Sequence, residues 1–378
     1  MARLPLSVCY LVKNEEDFLE ASLLSVAPFA DEIIIVDSGS TDRSLEIAKK
    51  FTSQIHDFQW QNDFSTARNY AAGFATKEWI LFVDGDEILE QSAAEKIEKL
   101  IANANTHAYA VLQRNYGPAR NIAGWVGKPP PEDLKPLVAE KASFNGFVDN
   151  VMYKLYRNNL GINWDGVVHE TIIHSCRKLN LNWEESDLVF HHLAEAKNAA
   201  FKENKKNYYL SLALEKLKRE PDHENSWFEL AICFCNLNYW TKAEIAFDEA
   251  IKRRPQWLEA RLMRAQILLQ LERFAEAEFL LRGLLETSFH FEDVLAYLST
   301  ALLYQRKFDD CLKIIEAGES IGLKHPHFHI NAATLLFEIK DYSRCEKHLK
   351  QAQEISPEDL FVQESLVKVS TLLQTNQF

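Results

Sequence analysis

No stretch of the 378 residues approaches the roughly 20 consecutive apolar residues that a membrane-spanning helix needs. The first residues, Met1 to Ser7, lack the basic region and apolar core of a secretory signal, so a cytoplasmic location is expected, with peripheral attachment at the inner face of a membrane left open. Positive charge is also scarce. With 42 Lys and Arg against 55 Asp and Glu the net charge is −13, which argues against nucleic-acid binding, because that needs a basic stripe to displace counterions. The six cysteines (Cys9, Cys176, Cys233, Cys235, Cys311 and Cys345) lack paired metal-site spacing. Cys233 and Cys235 are two apart in a helical pattern and point to different faces. Unpaired core thiols in a reducing compartment are the simplest expectation.

A hydrophobic content of 47% and a charged content of 26% describe an ordinary globular chain, long enough for two domains. Its first half repeats a strand, a polar turn and a helix. Residues 4–12 read as a buried strand that ends at Lys13-Asn14-Glu15-Glu16, and Asp17 to Ala27 has helical spacing. Ile33 to Val36 reads as a second strand, stopping at Asp37-Ser38-Gly39-Ser40-Thr41-Asp42 before a helix from Ser44 to Phe51. This succession predicts a parallel sheet with crossover helices. The turn after the second strand is rich in small residues that let backbone approach a nucleotide, and Asp37 is placed to accept hydrogen bonds from a base or ribose. Asp42 is explained by a helix cap alone.

The third such strand, Trp79 to Val83, runs directly into Asp84-Gly85-Asp86-Glu87. Carboxylates at the end of a buried parallel strand lie where open α/β sheets bind ligands. Asp84 and Asp86, with Gly85 between them, can reach one hard cation held jointly with a diphosphate, so Mg²⁺ or Mn²⁺ is expected. An acidic turn with no ligand is the plain alternative. The preceding helix, Phe64 to Gly73, carries Arg68 and Asn69 among small apolar residues. A guanidinium there suits a diphosphate, and a surface ion pair would explain Arg68 as well.

Lys13-Asn14-Glu15-Glu16, Asp37 to Asp42, Ala67-Arg68-Asn69 and Asp84-Gly85-Asp86-Glu87 occur in an order and spacing that resembles family 2 glycosyltransferases, in particular the group of lipopolysaccharide-core β-1,4-glucosyltransferases. The resemblance covers roughly the first half of the chain. It implies a Rossmann-like, mostly parallel GT-A domain, a nucleotide-diphosphate sugar donor (a UDP-sugar foremost), inversion at the anomeric carbon and a divalent cation. It places Asn14, Glu15, Asp37 and Ser38 at the nucleotide, with Arg68 and Asn69 beside the donor, and Asp84 and Asp86 at ribose, metal and diphosphate. In the resembling group a strand ending in Arg, here Val151 to Arg157, and then a run like Trp164-Asp165-Gly166-Val167-Val168-His169-Glu170 precede the acceptor side of the pocket. An inverting transfer needs a base for the acceptor proton. Glu170 is the expected base with His169 as orienter or substitute, and a helix-start carboxylate is the alternative for Glu170. Strand Asp187 to Phe190 ends in His191-His192. A late histidine resembles the C-terminal metal or diphosphate ligand of many GT-A enzymes; His192 is the first choice and His191 the fallback. The tyrosine that usually follows is Leu193 here. The Pro- and Gly-punctuated stretch from Arg114 to Phe147 is read as an acceptor flap, with Trp125 a candidate sugar platform, or as disorder.

From Glu224 the pattern changes. Trp227, Leu230, Ala231, Phe234, Ala243, Phe247, Ala250 and Pro255 fit a 34-residue tetratricopeptide unit, and three further steps of 34 keep the register to Pro357. The expected divisions are a transferase domain at 1–195, a linking helix at 196–223, four repeats at 224–357 and a capping helix at 358–378. The concave face of such a stack normally binds peptide or protein. The acceptor is thus either a saccharide or a peptide or protein side chain, the latter as in peptide S-glycosyltransferases that resemble this arrangement. A repeat scaffold with a degenerate transferase domain is the non-enzymatic rival.

Overall fold

The computed structural model describes residues 3–117, 125–138, 144–193, 199–287, 291–357 and 359–375. The chain divides into two compact units, one of residues 1–116, 131–142 and 148–204 and the other of residues 117–130, 143–147 and 205–378.

The first unit is built on β1 (Leu4–Val12), β2 (Ala30–Asp37), β3 (Ile55–Asp57) and β4 (Trp79–Asp84), joined through α1 (Leu19–Val26), α2 (Ser44–Ala48) and α3 (Phe64–Ala72). The strands are apolar at almost every position because both faces are covered. Val8, Tyr10, Ile33, Ile35, Leu81 and Val83 enter one core layer, while Cys9, Ile34, Val36, Ile80 and Phe82 enter the other. β1 lies parallel between β2 and β4, with Val12 beside Asp37 and Leu11 beside Asp84, and Asp37 pairs in turn with Asp57 of β3. That register brings the carboxyl ends of the four strands, with their aspartates, to one edge.

The rest of the sheet adds β5 (Glu87–Leu89), α4 (Ala93–Ile101), β6 (Ala108–Gly117), β7 (Trp125–Val126), α5 (Lys135–Val138), β8 (Gly146–Arg157), α6 (Ile173–Lys178) and β9 (Trp183–His192). The strand order is β3-β2-β1-β4-β8-β6-β9-β5. The sheet is mostly parallel, but β8 runs antiparallel to β4, and β5 antiparallel to β9. The stretch after Asp84 is therefore not only an acidic turn. Glu87 opens a three-residue strand that pairs with His192, and β6 runs parallel to β9 on its other side with Asn115 beside His192. Of the expected flap, residues 118–124 and 139–143 and the Trp125 side chain lie outside the described residues.

The second unit contains α7 (Ala199–Arg219) from Lys205 onward, then α8 (Glu224–Asn236), α9 (Trp240–Arg253), α10 (Leu258–Gln270), α11 (Phe274–Leu285), α12 (Phe291–Tyr304), α13 (Phe308–Ser320), α14 (Pro326–Glu338), α15 (Tyr342–Ile355) and α16 (Leu360–Thr375). It is a tetratricopeptide-repeat solenoid of helix pairs. Trp240, Phe274, Phe308 and Tyr342, each 34 residues from the last, open the second helix of each pair. The turn before each has one left-handed residue, at Asn238, Glu272, Arg306 and Lys340, with φ of 59°, 57°, 57° and 66°. Small residues let paired helices cross closely: Ala231 and Ala243 in one pair and Ala265 and Ala277 in the next are wholly buried. Cys311 and Cys345 take the same place in the last two, their thiols on the carbonyls of Ser299 and Ala333. Ion pairs then clip each unit to its successor: Glu244 to Arg264 (2.7 Å), Glu278 to Lys307 (2.7 Å) and Glu319 to Arg344 (2.7 Å). Lys216 of α7 joins the stack through a buried 2.6 Å pair with Glu229.

Within the last unit, His329 Nδ1 lies 3.0 Å from His348 Nδ1, and His348 Nε2 reaches Glu319 Oε1 of the preceding unit at 3.1 Å. With Nε2–H donating to Glu319, neutral His348 turns its Nδ1 lone pair to His329, whose Nδ1–H donates to it. Burial pushes His329 down to about 4, helped by His348, and burial pushes His348 below its ordinary value against the pull of Glu319. Between pH 6.5 and about 4 the unfolded chain therefore binds a proton at His329 that the folded chain refuses. Stability is expected to fall as pH falls through that window, by up to ~1.4 kcal/mol per pH unit for this ring. The urea midpoint of the helical signal, followed from pH 7 to 4 for the wild type and His329→Gln, would show a shallower pH dependence in the variant.

Candidate active site

At the carboxyl edge of β1 and β2 the loops hold one another. Asn14, in a left-handed conformation (φ 56°), accepts the Thr41 N–H at 2.8 Å and donates its own N–H to Ser40 Oγ at 3.0 Å. The Glu15 N–H donates to Ser44 Oγ at 2.8 Å. Asp37 is buried, and its carboxylate accepts the N–H groups of Gly39 and Ser40 at 3.0 Å, so it shapes its own loop. Ser38 Oγ donates to the Val12 carbonyl at 3.2 Å. Asp42 accepts the N–H groups of Glu16 and Ser44, so its carboxylate is engaged by backbone just before α2.

The β4 edge carries the charge. Arg68, held on α3 behind the Asp63 N-cap, is 7% exposed and is no surface ion pair. Its Nη2 donates to Asp84 Oδ1 at 2.9 Å and its Nε to Glu170 Oε1 at 2.5 Å, while the guanidinium lies against the Trp164 and Phe82 rings. Arg68 Nη1 is buried with no hydrogen-bond partner among the described residues, an orphaned donor that a ligand oxygen would satisfy. Asn69 does not reach this group. Its amide accepts the Trp164 N–H at 2.8 Å and donates to the Trp164 carbonyl at 2.9 Å, so it anchors the segment that delivers Glu170 rather than facing a donor.

Lys154 on β8, which the sequence reading passed over, completes the cluster. Wholly buried, it donates to Asp84 Oδ2 at 2.8 Å and to both oxygens of Glu87 at 2.6 Å. Glu87 Oε2 accepts the Asp84 N–H at 2.9 Å, and Gln113 donates to Glu87 Oε1. The available signal was a lysine in a strand flanked by buried Leu155 and Tyr156. Burial alone would push the Asp84 carboxyl up; Arg68 and then Lys154 reverse this and hold it below the usual carboxylate range. Both Asp84 oxygens are thus engaged by protein cations.

Asp86 Oδ1 lies 3.4 Å from His192 Nε2. The other ring nitrogen, Nδ1, is 2.6 Å from Asn115 Oδ1, and the Asn115 amide nitrogen donates to the Gln113 carbonyl, which fixes Oδ1 as the acceptor. His192 Nδ1 must then carry a proton, which leaves Nε2 as the ring atom turned to the Asp86 carboxylate. An imidazole whose far N–H is held by a carbonyl is the usual arrangement of a metal-ligating histidine. Among the described residues no three His, Cys, Asp or Glu side chains converge as a complete metal cage, so a cation here would take its remaining ligands from water and a bound anion. His191 points elsewhere: its Nδ1 meets the Tyr116 hydroxyl at 2.8 Å, and burial pushes it down to about 4. His169, with φ 55°, is likewise held neutral, pushed down by burial to about 4 against the opposing charge of Glu170.

The chain thus joins an α/β domain with carboxylates at one sheet edge to a helical-repeat array that follows it in sequence. Residues 7–176 match the family described as Glycosyl transferase family 2, and this part of the chain is a family 2 glycosyltransferase domain. The chain is similar to the SPbeta prophage-derived glycosyltransferase SunS of Bacillus subtilis, at 24% identity over 89% of this chain and 78% of that protein. It is 31% identical to a Rickettsia typhi glycosyltransferase over 29% of this chain and 37% of that one. It is 36% identical to a TPR repeat-containing protein of Synechococcus elongatus over 28% of this chain and 27% of the relative. The chain thus spans well under half the length of the last two. Among solved structures, YrrB, titled a TPR protein with an unusual peptide-binding site, overlays 44% of this chain and 85% of its own with a TM-score of 0.38 at 14% identity.

Gly85 ties the two loops of the site together. A Cβ there would stand 2.7 Å from Glu15 Cγ and 2.9 Å from Glu15 Cβ. Gly85→Ala must displace Glu15 or the Asp84–Asp86 turn and is expected to cost ~1–3 kcal/mol, the range for overpacking. A lowered Tm together with weaker nucleotide binding would be its signature.

Proposed function

We propose that this chain is an inverting, divalent-cation-dependent glycosyltransferase that moves a sugar from a nucleotide-diphosphate donor, a UDP-sugar foremost, to a peptide, protein or saccharide acceptor. The reading rests on one observation: the Asp86 carboxylate and Nε2 of His192, whose other ring nitrogen is held by Asn115, face each other at 3.4 Å beside the β4 edge. Cis ligands of an octahedral cation at 2.0–2.1 Å stand roughly 3 Å apart, so the donor set fits Mg²⁺ or Mn²⁺. Local charge supports a divalent ion as well. Arg68 and Lys154 oppose Asp84, Glu87 and Glu170, and Asp86 adds a further carboxylate, which leaves the cluster negative where an anionic donor must enter.

Asp86 and His192 would hold the cation, which when bound offsets the negative charge gained by the departing nucleoside diphosphate. Asn14, Glu15, Asp37 and Ser38 shape the loops that receive the nucleotide, and Arg68 presents Nη1 to an oxygen of the donor. Glu170 takes the proton of the acceptor as its nucleophilic atom bonds to the anomeric carbon and the bond to the diphosphate breaks. Arg68 fixes the direction of Glu170, and neutral His169 adjoins it. The repeat array would recognise a peptide or protein acceptor; the SunS relationship, which spans most of both halves, supports reading them as one enzyme. No helix among the described residues is long and apolar enough to cross a membrane, and we assign the enzyme to the cytoplasm or the inner membrane surface.

Thermal stabilisation by UDP-, GDP- and ADP-sugars with Mn²⁺ tests the assignment; no stabilisation by any of them would favour the scaffold alternative. Asp86→Asn is expected to cost on the order of 10²–10³-fold in turnover, and Glu170→Gln on the order of 10²–10⁴-fold. Asn115→Leu, which frees the His192 ring, should weaken Mn²⁺ binding by roughly 10–100-fold, measured by electron paramagnetic resonance.

A further inference from the structure

Lys154 does more at the β4 edge than neutralise a buried carboxylate. Its ammonium bridges both ends of the turn that contains Asp86: Glu87 at 2.6 Å on one side and Asp84 at 2.8 Å on the other. The same Glu87 closes the turn on the Asp84 N–H at 2.9 Å. Arg68 draws the second Asp84 oxygen the opposite way at 2.9 Å. A buried ion pair of this kind brings little stability that apolar residues of the same volume would not, so its presence calls for another reason. That reason lies in what the turn presents. With Asp84 and Glu87 pinned, Asp86 has its direction toward His192 set by the backbone between them.

We propose that Lys154 is a resident counter-ion of the donor site, a positioning residue that holds the Asp84–Glu87 turn ready for ligand before any divalent cation arrives. The proposal rests on the glycosyltransferase reading above and deepens it. Lys154 does the organising that in an unclamped acidic turn would fall to the incoming cation, so Mn²⁺ and a nucleoside diphosphate meet a preformed site.

Lys154→Met alone strands Glu87 without its cation and is expected to lower the Tm of the chain. The decisive variant is therefore Lys154→Met combined with Glu87→Gln, which removes the buried pair in balance and keeps acceptor and donor atoms for Asp84 N–H and Gln113. In the full-length chain the double variant should recover the Tm yet bind Mn²⁺, and UDP in the presence of Mn²⁺, roughly 10–100-fold more weakly than wild type, the range for losing a partner of a metal ligand. Titration calorimetry with UDP and paramagnetic resonance with Mn²⁺ read both. Wild-type affinities in the double variant would overturn the proposal and reduce Lys154 to the counter-ion of Glu87. Failure of the wild type itself to bind UDP and Mn²⁺ would instead overturn the glycosyltransferase reading.

Discussion

The first unit depends on a knot of opposite charges drawn from four separate parts of the chain: Arg68 from α3, Asp84 from the end of β4, Lys154 from β8 and Glu170 from the segment before α6. Ions of this kind are tolerated in a protein interior only when each is matched at hydrogen-bond distance. The knot therefore fixes how those parts meet as firmly as the apolar layers do. Asn69 reinforces it by holding Trp164 on both backbone groups, which sets the approach of Glu170.

Much of this was legible in the residues. The strands β1, β2 and β4 announce themselves because a sheet covered on both faces must be apolar throughout, and their carboxyl ends must be polar where the backbone emerges. The 34-residue repeat is legible for a related reason, since close helix crossings admit only small side chains at fixed positions. What stayed hidden is short or non-local. β5 is three residues long, too short for a period to register, yet its pairing with β9 is what carries His192 beside Asp86. Lys154 reads as one more residue of an alternating strand, and only the antiparallel placement of β8 against β4 brings it to Asp84.

The roles of the expected site residues also separate once their partners are known. Asp37 and Asn69 act on backbone, one shaping its loop and the other anchoring a segment. Asp84 serves two protein cations, whereas Asp86 looks across at His192. Spacing places two aspartates at one turn, but their partners come from other elements, Arg68 and Lys154 for Asp84 and His192 for Asp86.

The left-handed joints of the solenoid have a consequence for how such chains change length. Asn238, Glu272, Arg306 and Lys340 bend the backbone alike at equal intervals, and the clips Glu244–Arg264 and Glu278–Lys307 each connect neighbours only. Whole units can therefore be gained or lost by duplication or excision with every surviving joint intact. The stack can thus lengthen or shorten by gene copying, with the residues of the sheet edge left untouched.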